Sequence, residues 1–163
     1  MQKGFIALFE LYPHPVLVIT RSEDSTVLVY DAILEHDKIK QVHLMAVDLH
    51  KMPLKPTRME GTGTKLEKLF AMRILPHADG KRYELTIPVM PDKTMQAFVR
   101  DGRVVAKTKI GTGMHCVHRV FVHLTWTFKV PKIHWIDLYG RDAHGVTVSE
   151  RIPNPSILDL ASI

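Results

Sequence analysis

The sequence predicts a mainly β protein of the α+β kind: an antiparallel β-sandwich or barrel of about eight or nine strands, with one main helix over residues 64–75. Three observations point there. Residues 114–128 alternate for longer than any other stretch, with Cys116, His118, Val120, Val122, Leu124, Trp126 and Phe128 on one side of an extended strand. Asp101-Gly102, between two alternating runs, is the dipeptide that a two-residue hairpin turn favours. The connections are also too short for the crossovers that parallel strands need, which points to antiparallel pairing.

Taken in order, Gln2 to Glu10 fits either a short amphipathic helix or an edge strand. Val16 to Thr20 is an apolar, β-branched run, and Thr26 to Leu34 resumes after a polar turn, so the two make a hairpin. Gln41 to Leu49 is a third strand. His50 to Gly63 contains two prolines and two glycines and reads as an irregular loop. Thr64 and Glu67 have the capping-box spacing, and Leu66, Leu69, Phe70 and Ile74 form an apolar stripe that Pro76 ends. Strands follow at Arg82 to Val89, Met95 to Arg100, Arg103 to Ile110 and Ile133 to Gly140. A last hairpin turns at Gly145, and the tail from Asn154 to Ile163 either docks or frays.

At 163 residues the chain fits a single globular domain, 1–163, and can bury a core without staples. Its 45% hydrophobic and 24% charged residues match neither a disordered nor a membrane-embedded chain. The longest apolar run, Pro13 to Thr20, is too short to cross a bilayer, and Met1 to Phe9 makes a poor secretory signal. The single cysteine, Cys116, excludes an intramolecular disulfide; it is expected on a buried face in a reducing, cytoplasmic setting. A net charge of +5 is modest for a nucleic-acid binder, so that partner is not expected. Possible edge strands near Pro88 and at Val16 to Thr20 leave a homo-oligomer open.

Several segments are similar to a family known only as a domain of unknown function, numbered 4833. They are Thr20-Arg21-Ser22, Val29-Tyr30-Asp31-Ala32, Leu69-Phe70-Ala71, the run from Ile136 to Asp142, Gly145, and Glu150-Arg151-Ile152-Pro153. The resemblance spans roughly residues 15 to 153 and is most specific towards the C-terminus. The chain departs from it at Met72-Arg73, where the family has Tyr-Gly, and in its less polar third strand. The resemblance implies no activity, substrate or catalytic residue.

For function, the residues favour a non-enzymatic domain that binds a small apolar ligand in an aromatic pocket near Tyr30, Trp126, Trp135 and Tyr139. The alternative is a protein- or nucleic-acid-interaction module. It would use a basic β-hairpin, with Arg103, Lys107 and Lys109 on one strand face, Arg100 across the turn and Arg119 on the neighbouring strand. The same lysines would equally well keep an edge from pairing. An enzyme comes third, since neither a nucleophile elbow nor a metalloprotease motif is present. Asp137, expected to point inward, would need Arg119 or Arg151 beside it. Cys116 and His118, about 7 Å apart along a strand, suit two zinc ligands but lack the clustered partners of a structural site, so no metal or other cofactor is expected. Gly61 to Lys65 looks like a phosphate cradle but lacks P-loop spacing, and reads as a turn before a helix cap.

Overall fold

The protein was analysed as a computed structural model, which describes residues 2–22, 24–128 and 130–153. In chain order its elements are α1 (Gln2–Leu11), β1 (Leu17–Arg21), β2 (Thr26–Glu35), β3 (Lys38–Asp48), β4 (Thr57–Arg58), α2 (Lys65–Phe70), β5 (Arg73–Pro76) and β6 (Arg82–Thr86). They continue with β7 (Met95–Arg100), β8 (Arg103–Ile110), β9 (Gly113–Thr127), β10 (Val130–Arg141) and β11 (Thr147–Pro153). The predicted tail, Asn154 to Ile163, lies outside the described residues.

Among the described residues all eleven strands belong to one sheet that curls into a half-barrel. The mainly β expectation holds, but the sheet is mixed rather than purely antiparallel and has more than nine strands. The parallel contact is β1 on β9, with Val18 beside Arg119 and Arg21 beside Val122. Two strands lay hidden in other assignments: β4 in the loop before Gly61, and β5 in the C-terminal half of the expected helix.

β9 is the rail on which everything else hangs. One of its edges pairs with β10 from Cys116 to Thr127. The opposite edge is shared end to end, with β8 on Gly113 to Cys116 and β1 on Arg119 to Val122. Two wings therefore leave the same edge, β1-β2-β3-β4 and β8-β7-β6-β5. Asp101 and Gly102 turn between β7 and β8 with φ of 52° and 72°, as a two-residue hairpin with both central residues left-handed requires.

The inner faces of both wings close on one core. Leu17, Ile19, Leu28 and Tyr30 meet Leu85, Met95, Val120 and Ile136, and Leu69 and Phe70 of α2 fill the space between. Polar links cross the same space: the Tyr30 hydroxyl donates to the Phe70 carbonyl at 2.7 Å, and the Ile39 amide donates to the Tyr83 hydroxyl at 3.1 Å. The outer face of β1–β3 has its own apolar layer, in which Leu8 of α1 covers Val18, Val27, Val29 and Val47.

α2 begins as the capping signal indicates, with the Thr64 hydroxyl accepting from the Glu67 amide. It stops at Phe70, because the chain joins the sheet from Arg73, where Arg73 to Pro76 pair with Tyr83 to Thr86. The predicted face of the long strand also changes phase. The pairing skips from Tyr139–Arg119 to Gly140–Val117, so His118 is an extra residue in a β-bulge. Val120, Val122 and Leu124 point inward as expected, but before the bulge it is Val117 that is buried. Cys116 is consequently half-buried and on the outer side, not in the core.

Candidate functional site

The four aromatic residues expected to share a pocket do not converge. Tyr30 is fully buried in the inner core, where burial pushes its phenol well above the usual range. Trp126, near the end of β9, is 53% exposed. Trp135 and Tyr139 lie on the outer face of β10, each already engaged by neighbours. Trp135 stacks on His123 with centroids 3.8 Å apart, and the Arg151 guanidinium lies 4.6 Å from its ring centre; Tyr139 carries Arg119 at 4.4 Å.

Asp137 sits between them. It faces outward rather than inward, because Ile136 and Leu138 take the core side, and it is buried by its neighbours on the sheet surface. Arg151 donates two hydrogen bonds to its carboxylate, at 2.8 and 3.1 Å, which hold the group below the usual carboxylate range. The Trp135 indole N–H and His123 act in the same direction. The indole nitrogen makes no hydrogen bond of normal geometry, so its pull is electrostatic.

The basic residues do gather on one outer face. Arg103 and Lys107 alternate along β8 with Lys109, Arg100 faces Arg103 across the hairpin, and both Arg100 and Lys107 lie over the Phe98 ring, at 5.1 and 5.8 Å. Among the described residues no carboxylate lies within ion-pair distance of Arg100, Arg103, Lys107, Lys109 or Arg119. Cys116 and His118 gain no third ligand: among the described residues no three His, Cys, Asp or Glu side chains gather to hold a metal. The amides of Gly61 and Gly63 face an anion already, the Glu67 carboxylate, so the apparent phosphate cradle is filled by the chain itself.

The feature that the sequence did not reveal is a groove of about 470 Å³ on the outer surface. It opens where β8 peels away from β9 and β1 takes its place. Val18 and Val105 form its floor, and Phe5 and Phe9, one helical turn apart on α1, form a wall with Pro13 and Pro15. Arg103, Arg119, His14 and His118 supply its polar groups. Partial burial lowers the His118 imidazole, and the guanidiniums of Arg141 and Arg119 lower it further, so the groove end is a positive environment. The Phe5–Phe9 spacing and the flanking prolines were visible in the sequence, but the parallel β1–β9 contact that brings Val18 to Arg119 was not.

The family model described as Domain of unknown function (DUF4833) matches residues 17–151. The chain belongs to this family. No curated protein and no solved structure matches it. The DUF4833 segment includes the groove floor and its two arginines; Phe5 and Phe9 on α1 precede it.

Proposed function

We propose that this DUF4833 protein is a non-enzymatic binding domain that holds a small apolar molecule in the groove between α1 and the fork of the sheet. The groove carries the proposal: its volume lies in the range of small-molecule sites, and its walls are mainly Phe, Pro and Val side chains. Binding is favoured over chemistry because neither His14 nor His118 is oriented by a hydrogen bond among the described residues, as a general base would be. A cytoplasmic setting belongs to the same proposal and rests on the lone cysteine. Among the described residues no helix is long and apolar enough to cross a membrane.

The test is titration with the neutral dye N-phenyl-1-naphthylamine. Its fluorescence should rise on the native protein and fail to rise on Phe9→Glu, a change at an exposed position of α1, with far-UV circular dichroism checking that the variant is folded. Equal enhancement by both proteins would move the site elsewhere.

A second function is favoured by the cations of β7, β8 and β9, which have no carboxylate within ion-pair distance among the described residues and suit an acidic macromolecule. Salt-sensitive retention of a mixed oligonucleotide, weakened by Lys107→Gln and Arg100→Gln, would support it. Retention insensitive to salt would exclude it.

A further inference from the structure

The groove's charge says more than its shape. Of its side chains, two are arginines and two histidines, while the rest are apolar, and none is acidic. Arg103 and Arg119 have no carboxylate partner among the described residues, and Arg119 is steadied from behind by the Tyr139 ring. Arg141, held to the Gly145 carbonyl at 3.1 Å, adds a further cation near His118. A cation left unpaired beside an apolar wall favours an anion brought by the ligand, since the guanidinium fork matches carboxylate and phosphate oxygens.

We infer that the groove takes an anionic amphiphile, with one carboxylate, sulfonate or phosphate head at Arg103 and Arg119 and an apolar body along Phe5, Phe9, Pro15 and Val18. This rests on the groove being a binding site and specifies what fills it. The apolar body sits where α1 and the sheet part, and the head sits at the mouth, where the two arginines are exposed. Neutral apolar molecules enter the same space but leave the arginines unpaired. Cationic amphiphiles are repelled.

The experiment is calorimetric titration of the full chain with dodecanoate, 1-dodecanol and dodecyltrimethylammonium, each kept monomeric. Dodecanoate should bind about tenfold or more tighter than dodecanol, and the cation should not bind. Shortening the carboxylate should weaken it about fourfold per methylene lost from the groove. Arg103→Gln/Arg119→Gln should bring dodecanoate down to the dodecanol level and leave dodecanol unchanged. Arg103→Gln alone, which leaves the Arg119–Tyr139 contact intact, should lose part of the preference. Equal affinity for dodecanoate and dodecanol would overturn the anionic head while leaving the groove as a binding site. Binding of neither would overturn both. Sedimentation with vesicles of phosphatidylcholine and phosphatidylglycerol identifies the source: co-sedimentation abolished by the double substitution assigns the head to a membrane lipid, and its absence beside tight dodecanoate binding assigns it to a free amphiphile.

Discussion

Arg151 holds Asp137 across the β10–β11 pair through two hydrogen bonds, and the same guanidinium covers the Trp135 ring. A carboxylate with little solvent access is thus satisfied by a cation that is itself largely exposed. The pair stands outside the groove and carries the outer face of the C-terminal hairpin.

Arg151→Ala should therefore destabilise the fold, mainly because the Asp137 carboxylate loses both of its hydrogen bonds from the guanidinium. The pH dependence has a definite sign. The folded state holds the Asp137 carboxyl below its ordinary range, so the pairing stabilises fully above about pH 4 and is lost as pH falls through the folded value. Melting curves between pH 3 and 6 should show the gap between native and variant closing on acidification. A constant gap would place the stabilisation elsewhere.

Tyr30→Phe removes one hydroxyl from the core and leaves the Phe70 carbonyl, at the end of α2, without its donor. The expected loss is about 1–2 kcal/mol by urea denaturation, with an unchanged m-value. A neutral outcome would mean that the carbonyl finds another partner.

Glu67 serves the loop before it as well as the helix it begins, bonding the amides of Gly61 and Gly63. Glu67→Ala should cost about 1 kcal/mol and free both amides. Added sulfate should then raise the melting temperature of the variant more than that of the native chain. The same increment in both would show that these amides do not accept an external anion.

Gly4 lets α1 lie directly on the sheet: a Cβ there would come within 2.7 Å of both the Leu49 Cβ and its carbonyl oxygen. Gly4→Val should lift the helix, raise amide exchange along α1 and weaken any groove ligand, because Phe5, the next residue, lines the groove. Exchange confined to native rates would show that the helix seats itself without this close contact.

What could be read in advance was local chemistry. Asp101-Gly102 defines its hairpin by backbone preference alone, and Thr64 marks the start of α2 by the geometry of its cap. Leu66, Leu69, Phe70 and Ile74 satisfy a helical stripe, while the alternation from Arg73 to Pro76 is too short to compete in the sequence; pairing with β6 places Ile74 in a strand. The His118 bulge inverts the apparent faces of the strand before it, and nothing in the residue types marks it. The groove depends on Val18 meeting Arg119, a parallel contact about a hundred residues apart in sequence. The basic face legible in the sequence contains both arginines of the groove, whereas the groove's apolar half comes from Phe5, Phe9, the prolines and valines rather than from the tryptophans and tyrosines, which pack elsewhere.

The shared edge of β9 also sets an order of events during synthesis. The β1–β2–β3 segment leaves the ribosome with one flank of β1 bare, and its proper neighbour is made only after most of the chain has been translated. Until then a strand as apolar as Leu17 to Ile19 offers free main-chain groups to any passing polypeptide. Chaperone dependence of the nascent protein should follow from this delay, and it should be relieved by shortening the time between synthesis of β1 and of β9 rather than by stabilising the finished fold.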